Sequence, residues 1–226
     1  MRSVVRQRGQ AMFEFNVALP FLMPVVLVVM MLVVQWTFIY VAKSTLNSAT
    51  VKAVRAGTLN YGSTTAMNKA LAQGMMSLFA TGTEATDTLA AYGKARAAVT
   101  ALAQLRVLNP NRAVFDQFKY RARENNRSLY EIPNNNLMYR SSAYKNVGGG
   151  RQLNIQDANL LQIEVRWCQR LVVPFANRVI NQVVTSPLFG VSDEQLACNA
   201  LGLATGDVYM AMVSQGMMRM QTPFRM

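Results

Sequence analysis

From Phe15 to Ala42 the chain carries no charged side chain, and nearly every residue in that stretch is apolar. No other feature narrows the possible structures as much. An α-helix needs roughly 20 apolar residues to cross a bilayer core of about 30 Å, and this run exceeds that. Nothing later in the 226 residues rivals it, and the remainder has the composition of one soluble domain of ordinary size. The expected fold class is α+β. A long N-terminal transmembrane helix extends into a domain of mixed helices and a small antiparallel sheet.

Charge sets the orientation. Arg2, Arg6 and Arg8 precede the run, and basic residues beside a span tend to stay cytoplasmic. Lys43, Lys52 and Arg55 follow it and weaken the contrast. The segment before the run is nevertheless too short to be more than a cytoplasmic stub, so the large domain is expected outside the cytoplasm. The chain has 23 Lys and Arg against 11 Asp and Glu, a formal charge of +12. Setting aside Arg2, Arg6, Arg8 and Glu14 leaves 20 against 10. Such a domain favours anionic partners such as lipid headgroups, acidic subunits or surface polyanions. The basic residues are scattered and no recognition motif focuses them, so a solvated basic face is expected and nucleic acid is not an expected partner.

Cys168 and Cys198 are the only cysteines. An even pair outside the cytoplasm fits a disulfide. Closing a loop of about 30 residues stabilises by about 3–4 kcal/mol in the chain-entropy model. Two unrelated buried thiols are the alternative. There is no His, and two cysteines are too few for a zinc site, so neither a metal nor a cofactor is expected. The same lack of His removes the familiar Ser-His-Asp and Cys-His arrangements. Adjacent acids such as Asp193 and Glu194 read as a solvated turn or a helix start. No enzymatic activity is expected.

A secretory signal peptide has a short apolar region ending at a small-residue cleavage site. Here the run is too long and no Ala-x-Ala site follows it closely. Instead Gly9 stands between the basic stub and the run, in Arg8-Gly9-Gln10-Ala11-Met12-Phe13-Glu14-Phe15, followed by Ala18-Leu19-Pro20. The arrangement resembles the leader of type IV pilin-like precursors. More narrowly, it is similar to the start of the TadE-like minor pilins (pseudopilins) of tight-adherence, or Tad, pilus systems. Val51-Lys52-Ala53-Val54-Arg55-Ala56-Gly57, and Ile163-Glu164-Val165-Arg166-Trp167-Cys168 with Val172-Val173-Pro174, look like further segments of that family.

The resemblance implies cutting between Gly9 and Gln10 by a membrane aspartyl peptidase, the prepilin peptidase, on the cytoplasmic side. Glu14 then becomes the fifth residue of the mature chain. It implies a leader over 1–9, a transmembrane and extended helix over 10–57, and a periplasmic or extracellular pilin-like domain over 58–226. The location implied is the bacterial inner membrane, with passage into an extracellular pilus. The implied partners are other minor and major pilins and an inner-membrane assembly platform, in a fibre for surface adhesion and biofilm formation. The alternative is a permanently anchored inner-membrane protein whose basic domain binds an anionic partner.

Glu14 has a physical reason to matter within that frame. A carboxylate carried deep into a membrane costs about 2–3 kcal/mol, and such residues tend to be functional. Cleavage frees an α-amino group on Gln10, one helical turn away, and a neighbouring subunit's amine can come equally close. Pairing the two charges offsets desolvation and sets the axial register of packed helices. The plainer alternative is a carboxylate that snorkels to the interface. Pro20 and Pro24 lie inside the apolar helix, where each removes a backbone donor. They either loosen the helix for its passage into a fibre or are passive kinks.

Farther along, the long helix is expected to run to about Gly57. A helix from about Thr65 to Ala80 packs through Met67, Leu71, Met75 and Leu78. An amphipathic helix runs from Glu84 to about Val107, with Leu89, Tyr92, Ala95, Val99 and Leu102 on one face turned toward the anchor helix or a partner, and with Arg106 near its end. The stretch from about Phe115 to Gly150 reads as polar and irregular, and Gly148-Gly149-Gly150 as a flexible connection. Leu160 to Trp167 reads as a strand with Ile163, Val165 and Trp167 on one face. A short helix follows Pro174 through Val184. A terminal strand over Asp207 to Met218 is expected to pair antiparallel with Leu160–Trp167.

Overall fold

The structure is a computed structural model that describes residues 10–124, 127–184 and 192–226. In chain order the helices and strands are α1 (Gln10–Leu59), α2 (Thr64–Met75), α3 (Ala85–Leu102), β1 (Ala103–Asn109), α4 (Arg112–Phe118), β2 (Tyr120–Glu124), β3 (Arg127–Ile132), β4 (Lys145–Asn146), β5 (Gln152–Leu153), α5 (Ile155–Ala158), β6 (Leu160–Arg170), α6 (Ala176–Val184), α7 (Asp193–Thr205), β7 (Tyr209–Arg219) and β8 (Phe224–Arg225). The fold is α+β: a long apolar N-terminal helix with a small antiparallel-sheet domain. The chain divides into two compact units, Val41–Gln169 with Ala211–Met226, and Met1–Tyr40 with Arg170–Met210.

In the larger unit, the upper part of α1 is one face of the core. Ala42, Leu46, Ala49, Ala53 and Gly57 recur at helical spacing and are buried, with Thr50, Val54 and Thr58 beside them. Of the other small residues on this stretch, Ser44 is exposed and Ala56 half-buried. Small side chains let neighbours come close. A Cβ added to Gly74 in α2 would sit 2.5 Å from the Cβ of Ala49, and one added to Gly216 in β7 would sit 2.9 Å from Val54 Cγ2. After α1 the chain turns through Tyr61 and Gly62, whose N–H donates to the Gly57 carbonyl at 2.9 Å. The Ser63 hydroxyl then accepts from the Ala66 N–H and starts α2.

α2 buries Met67, Leu71 and Met75, as its periodicity predicts; Leu78 lies in a following 3₁₀ turn and is half-buried. α3 differs from expectation in two ways. It packs against α2 through a narrow stripe of Ala91, Ala95 and Val99, which leaves Leu89 73% exposed. It also stops at Leu102. The residues read as its last turns form β1 instead, where Arg106 also lies, because Leu105 and Val107 alternate with polar neighbours and pair with β6.

β6 is the central strand of the order β1-β6-β7. It pairs antiparallel with β1, Leu105 opposite Val165 and Val107 opposite Ile163. The hydrogen bonds Leu171 N–H to Val208 C=O and Met220 N–H to Asn159 C=O run from the two ends of β6 to the opposite ends of β7. That pairing is therefore antiparallel too, as expected. Leu161, Ile163, Val165 and Trp167 are all buried, the inward half of a period-two strand.

The stretch expected to be irregular is ordered. Asn111 caps α4 by accepting from the Val114 N–H at 2.9 Å. β2 and β3 form an antiparallel hairpin, Ala122 opposite Leu129, and β8 adds to β3. Gly148, Gly149 and Gly150 all take positive φ and make the turn between β4 and β5, a conformation open to glycine and costly for other residues. The chain terminus ties back to the end of α1: the Thr58 carbonyl accepts from the N–H groups of Gln221 and Thr222.

In the smaller unit, α7 is capped at both ends. The Ser192 hydroxyl accepts from the Gln195 N–H, and Gly206 closes it at φ 76° with its N–H on the Gly202 carbonyl. Asp193 and Glu194 occupy its first turn, where the helix dipole favours acids. Arg170 and Asp207 form an ion pair at 2.9 Å. Gln195 donates from Nε2 to the Tyr209 carbonyl at 2.9 Å. Cys168 and Cys198 are disulfide-bonded, and both are buried.

Candidate functional site

The largest chemically distinctive surface is the lower part of α1. Among its described residues from Met12 to Val34, only Ala18, Met31 and Leu32 are half-buried and the rest are exposed. Phe13, Phe21, Met30 and Val33 each leave more than half of their surface uncovered. No residue of the most apolar window is buried within the chain. A soluble protein's surface helix is apolar on one stripe, whereas this one is apolar all round. By length and composition α1 is apolar enough to cross a membrane.

The residues expected to carry function fall as follows. Gly9, with Arg2, Arg6 and Arg8, lies outside the described residues. Gln10 is the first residue of α1. Glu14 stands exposed one turn later, flanked by Phe13 and Phe15 at 71% and 64% exposure. It is the only carboxylate on the apolar part of the helix. Pro20 and Pro24 lie within the continuous helix. They leave the carbonyls of Asn16 and Pro20 without their usual N–H donors.

A polar residue that the sequence reading passed over sits higher on α1. Gln35 is fully buried, and its Oε1 accepts from the N–H groups of Val172 and Val173 at 3.2 and 2.9 Å. Its Nε2 has no partner among the described residues. Gln35 is the only amide side chain between Val17 and Ala42, and that isolation was the available signal. Trp36 and Tyr40 beside it are 66% and 71% exposed.

The basic residues are less scattered in space than along the chain. Arg112, Arg121, Arg123 and Lys145 belong to α4, the β2–β3 hairpin and β4, and Lys119 joins α4 to β2. Exposed Tyr120, Tyr130 and Tyr144 lie among them. Part of this charge is neutralised locally. Lys119 bonds Asp116 at 2.7 Å, and the hydrogen bond it donates, reinforced by its charge and that of Arg112, holds the Asp116 carboxyl below its ordinary range. Arg225 pairs with Glu131 at 2.9 Å and stacks over the Tyr61 ring. Lys145 lies over the Phe118 ring. Among the described residues, no group of three or more His, Cys, Asp and Glu could hold a metal ion.

Among the described residues, the most distinctive surface is thus this exposed apolar helix. A scan against models of protein families, and searches of curated proteins and of solved structures, find no match to this chain.

Proposed function

We propose that this chain is a pilin-like subunit, a TadE-like minor pilin or pseudopilin, that takes part in the assembly, initiation or tip of a Tad-type pilus. The observation that carries this reading is the lower part of α1: its most apolar surface has no cover among the described residues, and one acid, Glu14, stands at its start. Before assembly the bilayer supplies that cover, with the N-terminus cytoplasmic and the sheet-bearing domain periplasmic. In the fibre, the packed helices of other pilins supply it. The prepilin peptidase cuts between Gly9 and Gln10. The new α-amino group, on this subunit or its neighbour, pairs with Glu14, and that ion pair sets the register of one helix against the next. Unbonded carbonyls at Asn16 and Pro20 loosen the helix where it leaves the bilayer. The chain acts through burial and register, with the one covalent step performed on it by the peptidase.

Mass spectrometry of the mature N-terminus from native cells tests the reading. A chain beginning at Gln10 is expected, recovered in sheared fibres as well as in the inner membrane. Gly9→Ala accumulates as uncut precursor, and Glu14→Gln is cut but fails to enter fibres. An intact Met1, or a cut beyond the apolar run, rules the leader out. The basic face over α4 and the hairpin supports a second reading, an anchored module that captures an anionic partner. Recovery in the inner membrane alone, with salt-sensitive binding to an anionic polymer, selects it.

A further inference from the structure

α6 divides its circumference into two chemistries. Val179, Ile180, Val183 and Val184 lie on one side, and Asn177, Arg178, Asn181 and Gln182 on the other. Such a division ordinarily faces the core. Here Val179 and Val183 are exposed, and Val172 and Phe175 extend the uncovered apolar surface at 67% and 64% exposure. Phe175 also holds φ at 64°, a left-handed conformation that a bulky side chain adopts only at a cost. Its ring is nonetheless left outside the core.

The position of this surface says what covers it. The N–H groups of Val172 and Val173 are bonded to Gln35, which fixes the start of the segment at one height on α1. Gln35 lies about 30 Å along the helix from Glu14, which matches the thickness of a hydrocarbon core. Trp36 and Tyr40 stand exposed at the same height, and these two residue types concentrate where lipid meets water. With Glu14 at one boundary of a bilayer, the segment before α6 begins at the other.

We propose that α6 and the residues before it lie in the outer interface of the bilayer that α1 crosses, with Val172, Phe175, Val179 and Val183 among the upper acyl chains and Arg178 toward the phosphates. The occupant is lipid. The face is continuous in height with the lipid-facing surface of α1, and its polar side carries a cation and no acid, as anionic headgroups favour. A nine-residue helix is short for binding a membrane unaided. The bond to an embedded helix removes most of the entropic cost of association. The proposal rests on the proposed function only in requiring α1 to span the membrane.

The test places the full chain, one copy per nanodisc, in phosphatidylethanolamine and phosphatidylglycerol with its disulfide kept oxidised. Nitroxide labels go on Phe175→Cys, Val179→Cys, Val183→Cys, Arg178→Cys and Gln182→Cys, with Val28→Cys as the marker for α1. Collisions with oxygen are expected to exceed those with an aqueous nickel chelate at 175, 179 and 183, and the ratio inverts at 178 and 182. If 28 reads as lipid while 179 and 183 read as wet as 182, the proposal fails and the function above is untouched. Labels at 179 and 183 shielded from both reagents mean protein contact, which also overturns it. A wet reading at 28 removes the spanning helix itself, and both ideas with it.

Discussion

Residues 12–34 and 42–58 belong to one uninterrupted helix and yet follow opposite rules of packing. The lower stretch is Val, Leu, Met and Phe on every side and is almost wholly uncovered. The upper stretch is rich in Ala, Thr and Ser and buries a stripe that includes Leu46, Ala49 and Ala53 at 0% exposure. Hydrophobicity alone therefore does not say where a helix is buried. Close packing within the chain calls for small side chains that admit a neighbouring backbone, as Ala49 admits Gly74. Bulky apolar side chains all round call for a surrounding that adapts to the helix, such as lipid or the equally bulky helices of other subunits.

The largest effect that can break this contrast comes from truncating one leucine in each half. Leu46→Ala is expected to lower stability by about 2–5 kcal/mol, as for a fully buried leucine, and Leu27→Ala by less than about 0.5 kcal/mol. Thermal unfolding in detergent micelles measures both, and similar losses at the two positions would end the distinction.

Two glycines sharpen it further. A Cβ on Gly74 would meet the Ala49 Cα at 2.6 Å, so α1 and α2 must separate, and Gly74→Ala should cost about 1–3 kcal/mol. A Cβ on Gly57 would meet Met67 Sδ at 2.7 Å and Leu161 Cδ2 and Met67 Cγ at 2.8 Å, all side-chain atoms rather than backbone. There the helix-propensity gain of about 0.5–1 kcal/mol offsets the crowding, and Gly57→Ala should leave the melting temperature nearly unchanged. An equal loss at both sites contradicts the reading of which neighbour can yield.

Gln35 stands between the two stretches. Gln35→Leu removes the acceptor for Val172 and Val173 but also removes a buried, unpaired Nε2. The net cost is about 1 kcal/mol, seen as faster amide exchange at residues 172 and 173 with the rest of the chain unaffected.

The smallest effect lies on the open surface, away from the helix. Lys119 holds the Asp116 carboxyl below its ordinary range. The small stabilisation is present above the ordinary carboxylate pKa and lost as pH falls through the depressed one. A carbon-detected titration should show the Asp116 midpoint rising in Lys119→Met, while stability at neutral pH stays within error. An unmoved midpoint would remove Lys119 as the cause.

How legible these features were in the sequence depended on their range. The apolar run, the Met67-Leu71-Met75 stripe and the inward set of β6 are local periodicities, and each was visible. β1 was missed because Ala103-Gln104-Leu105-Arg106-Val107 satisfies a helical continuation as well as a strand, and only its partner β6 decides between them. The β2–β3 hairpin was missed because its inward set is weak: Ala122 and Leu129 are only half-buried, between exposed Arg121, Arg123, Ser128 and Tyr130, and so short and polar an alternation does not stand out among the residues. The role of Gln35 depends on a segment far along the chain, and only the oddity of an amide in an apolar run hinted at it. Gly9 and Glu14 show the reverse. Their pattern is plain in the sequence, yet Gly9 lies outside the described residues and Glu14 meets no partner among them.

The return of the C-terminus to the end of α1 governs when the domain can exist at all. Thr58, where the anchor helix ends, is sealed by Gln221 and Thr222, and Arg225 reaches back to Tyr61 and Glu131. Thr58 and Thr222 lie 164 positions apart, and closing so long a loop is entropically costly. The larger unit therefore locks late, once its two distant ends have met.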